Sequence, residues 1–141
     1  MGHLYKLDGR DVKEQARIDQ AEQQTVDVRH ALRQVCFFEP ESLDKTLTNQ
    51  KPVLDQFNRF LHQDGWILSD RVSYADFFLF ETLDMLLDLK PTALDQLSNL
   101  KSYHQRFASL PTIASIRSSD QFKQMPYFWG VAKKFGRPHL V

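Results

Sequence analysis

Val72-Ser73-Tyr74-Ala75-Asp76-Phe77 decides the fold of this chain, because it reads as a helix start written into side chains. Ser73 stands where an N-cap residue accepts a hydrogen bond from the first turn, and Asp76, three residues on, can return one to the cap's own N–H. Val72 and Phe77 occupy the two staple positions that flank such a box. The helix it opens carries Phe77, Phe78, Leu79, Phe80, Leu83, Met85, Leu86 and Leu87, apolar nearly all round, with Glu81, Asp84 and Asp88 as one narrow polar face. A helix of that kind is buried, so the remaining elements must surround it. An all-α helical bundle follows.

Toward the N-terminus, Ile18, Ala21, Thr25, Val28, Leu32 and Val35 recur every three or four residues, which predicts one long helix over about 11–36. Asp11 with Glu14 is placed to open it with a second capping box, and Pro40 ends it, leaving a loop over 38–42. A second amphipathic stripe uses Val53, Leu54, Phe57, Phe60 and Leu61, with Pro52 in a first turn, where a proline costs no hydrogen bond. It is expected to stop near Asp64-Gly65. An extended connector, 66–68, and a polar turn, 69–71, lead back to the capping box. Toward the C-terminus, Pro91 stops the central helix, Leu100, Tyr103, Phe107 and Leu110 mark another helical stripe, and Pro111 breaks that one. Residues 112–118 suit a short helix, and the aromatic remainder, with Pro126 and Pro138, is expected to wrap over the bundle. No repeat and no linker interrupts the chain, so residues 1–141 read as one domain.

Eighteen basic and eighteen acidic residues cancel, so no long-range field draws the chain onto nucleic acid or an anionic membrane. Lys133, Lys134, Arg137 and His139 read as a solvated tail. The most apolar stretch, 77–89, is broken by acids and no signal pattern opens the chain, which predicts a soluble protein. A single cysteine, Cys36, allows no internal disulfide and fits a reducing compartment, the cytoplasm. Cys36 lies on the apolar side of the first helix and reads as a buried thiol. His3, His30, His62, His104 and His139 never fall at the i, i+4 spacing of a helical metal site, so no metal is expected. No strand-turn-helix elbow presents a serine nucleophile. One feature of the first helix stands apart from its core stripe: Asp27, His30, Gln34 and Phe37 share a wedge of roughly 80°, free to meet a ligand or a partner. A solvated carboxylate is the plainer reading of Asp27. The aromatic residues Phe107, Phe122, Tyr127, Phe128, Trp129 and Phe135 read first as packing and second as a pocket wall.

Three stretches together resemble the helical C-terminal half of a mu-class glutathione transferase. Arg17-Ile18-Asp19, Glu22-Gln23-Gln24-Thr25-Val26-Asp27 and Val35-Cys36-Phe37 are similar to the opening helix of that half. The capping box Val72-Ser73-Tyr74-Ala75-Asp76-Phe77 is shared widely across the superfamily. Leu97-Ser98-Asn99-Leu100-Lys101, Arg106-Phe107, Leu110, Ile113-Ala114-Ser115-Ile116 and Ser118-Ser119 resemble its last helices. The resemblance implies a homodimer, or pairing with a transferase-like partner, that conjugates glutathione to hydrophobic electrophiles in detoxification. Glutathione is the family's co-substrate, and no cofactor is implied. By the same matching this chain starts just after the thioredoxin-like N-terminal domain, with its thiolate-stabilising tyrosine, would end, and lacks it; Tyr5 is no stand-in for that tyrosine, and no catalytic residue is expected in this chain.

Residue by residue, the matching makes Asp27 the aspartate that reaches across the dimer toward glutathione on the other subunit. It sets Phe37 where mu enzymes have a tyrosine of the electrophile pocket, and Arg29, His30 and Arg33 on positions lining or bordering that pocket. Phe128 matches a phenylalanine that closes the pocket, and Trp129 replaces a smaller residue beside it; Ser73 and Asp76 match the structural capping box. The implied role is the electrophile-binding and dimer-forming half of such an enzyme, inactive by itself. The rival from another class is a non-catalytic interaction module, since helical domains of this superfamily also serve in assemblies.

Overall fold

In the computed structural model, which describes residues 5–61 and 65–128, Asp11 takes extended backbone and its Oδ1 accepts from Glu14 N at 2.8 Å, starting α1, Val12–Phe37. Only half of the expected box forms here. The Glu14 carboxylate turns away from the cap and takes Arg10 N and Arg71 Nη2 at 2.7 Å each, because two cations outbid one neutral amide. The predicted stripe is the buried face: Ile18, Ala21, Thr25, Val28, Leu32 and Val35, joined by Cys36. Thr25 avoids an unmet polar group by donating to Ala21 O at 2.7 Å.

A 3-10 turn, Pro40–Ser42, leads into α2, Leu43–Phe60, and here the sequence expectation is corrected. Pro52 lies inside the helix, not in its first turn. The apolar stripe starts earlier, since Leu43, Leu47, Leu54 and Phe57 share a helical face and Leu47 already packs on the core. The missing Pro52 N–H deprives only Thr48 O, and both residues are exposed, so water can replace the lost bond. The end expected near Asp64 falls outside the described residues. Helix α2 stops at Phe60 with Leu61 as its cap.

The connector that follows, expected to be extended, contains a turn. Ser69 N bonds Trp66 O at 2.9 Å, and Ser69 itself takes a left-handed φ of 71°. The chain then enters α3, Tyr74–Leu89, through the capping box. Ser73 and Asp76 are both fully buried, and Asp76 Oδ2 accepts from Ser73 N and Ser73 Oγ at 2.7 Å each. Its other oxygen, Oδ1, accepts from Ile67 N at 3.0 Å and Tyr103 Oη at 2.9 Å. One carboxylate therefore fastens the connector, α3 and the next helix together. Burial, reinforced by Asp76, pushes the Tyr103 phenol well above its ordinary range, so it stays a donor.

Helix α3 is central: Ala75, Leu79, Leu83, Met85 and Leu86 are buried in the core shared with α1 and α2. Helix α4, Ser98–Ala108, adds Leu100, Tyr103 and Phe107. It lacks a side-chain N-cap of its own, and Asn58 of α2 serves instead, its Oδ1 accepting from Asn99 N at 2.9 Å and Leu100 N at 3.1 Å. Pro111 ends the α4 stripe and takes the first turn of α5, Pro111–Ser118, and α6 is Asp120–Gln124. Tyr127 and Phe128 then pack against the core as partly buried residues, and the rest of the expected wrap, 129–141, lies outside the described residues. Trp129, Phe135 and the basic residues Lys133, Lys134, Arg137 and His139 lie outside the described residues.

Candidate functional site

The candidate site residues of α1 come from its C-terminal half. Asp27, His30 and Arg33 are exposed, while Arg29 and Phe37 are half-buried, as their angles off the Val28, Leu32 and Val35 stripe require. Arg33 sets its guanidinium over the Phe37 ring at 5.4 Å, and Phe37 meets Phe128 edge to face with ring centres 5.2 Å apart. These three residues, drawn from positions almost a hundred apart in sequence, form one aromatic wall with a cation on it.

The other candidates spread away from that wall. Arg29 turns toward α3, with Nη2 3.2 Å from Glu81 Oε1 and its guanidinium over Phe78 at 5.4 Å. His30 Nε2 lies 3.4 Å from Gln34 Nε2 on the exposed face. Asp27 is ten residues before Phe37, about 15 Å along the axis at 1.5 Å per residue. One chain therefore does not bring Asp27 to the aromatic wall. Trp129 lies outside the described residues, and Ser73 and Asp76 sit in the core, where they act through the fold.

A second polar constellation escaped sequence reasoning. Asp84, expected on a narrow polar face of α3, is only 7% exposed, because α4, α5 and the chain after α6 cover it. Its Oδ1 faces His104 Nε2 at 3.0 Å, and its Oδ2 takes Arg117 Nη1 and Tyr127 Oη, the latter at 3.3 Å. Tyr127 Oη lies nearer Asp88 Oδ2, at 3.0 Å, so the two carboxylates share its one proton. His104 stacks on Phe80 with centres 5.0 Å apart, and Arg117 lies over Phe80 and Phe122. Burial alone would raise the Asp84 carboxyl, but hydrogen bonds from His104 and Arg117, with their charges, more than offset it and hold its pKa below the ordinary carboxylate value. The partners lie 20, 33 and 43 residues away, so no short-range pattern announces them.

Two concave regions frame these groups. A cavity of about 170 Å³ lies beside Asp84, lined by Phe80, Ile113, Ile116, Phe122 and Tyr127 among others. A second, of about 320 Å³, separates α1 from α2 and is lined by Gln20, Gln24, Gln56, Phe57, Arg59 and Phe60. Among the described residues, no group of three or more His, Cys, Asp or Glu side chains is gathered to hold a metal. No helix among them is long and apolar enough to cross a membrane.

Comparison with known proteins agrees with this architecture. The family model described as "Glutathione S-transferase, C-terminal domain" matches residues 26–120. Glutathione S-transferase Mu 4 of Homo sapiens is 30% identical over 134 residues, covering 91% of this chain and 60% of that protein. Glutathione S-transferase Mu 1 of Oryctolagus cuniculus is 34% identical over 134 residues, with the same coverage. The solved pi-class glutathione S-transferase of Onchocerca volvulus superposes with a TM-score of 0.84 at 26% identity, over 93% of this chain and 66% of that one. The chain thus spans about 60% of the length of the curated relatives it matches.

Proposed function

The chain belongs to the glutathione S-transferase C-terminal domain family, and from that membership we propose that it is the electrophile-binding and subunit-pairing half of a mu-like glutathione transferase acting in cytoplasmic detoxification. The observation that carries this reading is the meeting of Phe37 and Phe128 at 5.2 Å, with Arg33 over Phe37. An apolar, partly exposed aromatic wall suits the flat ring of an electrophile, which gains by stacking and by leaving water. Phe37 offers no hydroxyl, so this chain contributes contact and orientation to that ring and no proton.

Conjugation forms a carbon–sulfur bond from the glutathione thiolate to the electrophile. The thiolate needs preorganised donors near the sulfur, and those belong to a thioredoxin-like domain. Within this chain the tyrosine hydroxyls at 74, 103 and 127 are engaged in the fold, and the fourth tyrosine, Tyr5, is exposed ahead of α1. Asp27, exposed on α1, is the group that meets the glutathione amine on a paired subunit, since an exposed carboxylate is available to a cationic partner without a burial cost.

Displacement of a bound fluorescent probe tests the wall directly. With 8-anilinonaphthalene-1-sulfonate on the chain, 1-chloro-2,4-dinitrobenzene is expected to displace it, and Phe37→Ala or Phe128→Ala to weaken both ligands together. Unchanged binding in both variants would remove the wall from consideration.

A further inference from the structure

The residue next to Phe128 is Tyr127, whose hydroxyl reaches two carboxylates of α3: 3.3 Å to Asp84 Oδ2 and 3.0 Å to Asp88 Oδ2. Asp84 is in turn held by His104 of α4 and Arg117 of α5. A carboxylate held by two donors from two other helices has little freedom to rotate, so it presents a fixed acceptor to Tyr127. The aromatic stacking of His104 and Arg117 on Phe80 fixes those donors as well. Ahead of Tyr127, Phe122, Met125 and Pro126 line the cavity beside Asp84, with Met125 exposed. Helix α6 has only five residues and no buried side chain. Such a segment has little packing of its own to set where Phe128 falls.

We propose that Asp84, through Tyr127, is a positioning residue of the aromatic wall: the His104–Asp84–Arg117 cluster latches the segment after α6 to α3 and thereby holds the Phe128 ring against Phe37. The inference rests on the reading of Phe37 and Phe128 as the electrophile wall for its functional meaning, while the latch itself is a statement about the position of one ring. Its place in the fold makes it an adjustable element, because a change at residues 84, 104 or 117 shifts a pocket wall without touching the pocket.

The test uses the whole chain with 4-fluorophenylalanine at position 128. The fluorine resonance reports the ring current of Phe37, and Phe37→Leu calibrates the position it takes when the stack is absent. Tyr127→Phe, which removes a single hydroxyl from a half-buried side chain, is expected to move the resonance most of the way to the calibrated position. It should also raise hydrogen exchange of amides 122–128 about tenfold, the change expected for loss of one hydrogen bond, with amides of α3 unaffected. Asp84→Asn should give the same signature, and weaken 8-anilinonaphthalene-1-sulfonate binding as Phe128→Ala does. A merely structural role for Asp84 would lower the melting temperature and leave the fluorine shift in place. If Tyr127→Phe leaves both the resonance and the exchange unchanged, the latch is refuted. If the ring moves but neither Phe37→Ala nor Asp84→Asn alters probe binding, the latch stands and the wall reading falls.

Discussion

Replacing Asp76 by alanine should damage this fold more than any loss of a helix cap would. A lost N-cap costs about 1 kcal/mol. Asp76, however, is fully buried and accepts from Ser73 N, Ser73 Oγ, Ile67 N and Tyr103 Oη. Two of those donors are hydroxyls that can turn to other acceptors, and Tyr103 Oη already lies 3.2 Å from Asp76 O. The other two, the backbone N–H groups of Ser73 and Ile67, cannot turn. Each buried, orphaned donor costs roughly 1–3 kcal/mol, against which stands the relief of no longer burying a carboxylate. Two such donors cost about 2–6 kcal/mol before that relief, which leaves a balance of about 2–4 kcal/mol. Urea titrations of Asp76→Ala, Ser73→Ala and Tyr103→Phe measure it. Asp76→Ala should lose well over twice what either of the others loses, and Asp76→Asn should fall between, since it retains one acceptor oxygen but turns an NH₂ toward donors. Equal losses in Asp76→Ala and Ser73→Ala would show that the bonds to Ile67 and Tyr103 add nothing, and the junction would shrink to a local cap.

Three further outcomes follow from the same geometry. When the chain is joined to a family N-terminal domain, Asp27→Ala should weaken glutathione binding by about 1.5–3 kcal/mol, the range of a charge-assisted hydrogen bond, with the melting temperature nearly unmoved; calorimetric titration and thermal melts decide it together. Asp84 has a folded pKa below its unfolded value, so its share of stability is present above the unfolded carboxyl pKa and is lost as pH falls through the folded one. Urea midpoints taken down through the acid range should therefore fall less steeply in Asp84→Asn than in the parent. Pro52→Ala should raise stability by about 1 kcal/mol by restoring a donor to Thr48 O inside α2, and an unchanged or lower midpoint would mean that the proline's restriction of the unfolded chain outweighs the missing bond.

What could be read from the chain in advance was whatever is written locally. The Ser73 and Asp76 box needs only four consecutive residues, and the α1 stripe only the spacing of its apolar side chains, so both were legible before any coordinates. Pro52 misled because a first-turn proline and an exposed interior one look alike in sequence. Leu43 and Leu47 were the signal that favoured the longer helix. Glu14 left its capping role for Arg10 and Arg71, and Arg71 lies 57 residues away. Asp84 looked like part of a solvated face for the same reason: His104, Arg117 and Tyr127 reach it only through tertiary packing. The meeting of Phe37 with Phe128 was suggested by family resemblance, since no periodicity connects residues so far apart.

Conjugation itself is the most direct measure of the central claim. The rate of adduct formation between glutathione and 1-chloro-2,4-dinitrobenzene is followed with this chain alone, with a mu-class thioredoxin-like domain alone, and with the two joined in one polypeptide. Each part by itself should show the uncatalysed rate, the joined protein should catalyse, and Phe37→Ala should lose several-fold of that catalysis with its glutathione affinity intact. Catalysis by the chain alone, or a joined and folded protein that binds glutathione yet conjugates no faster than solution, would contradict it.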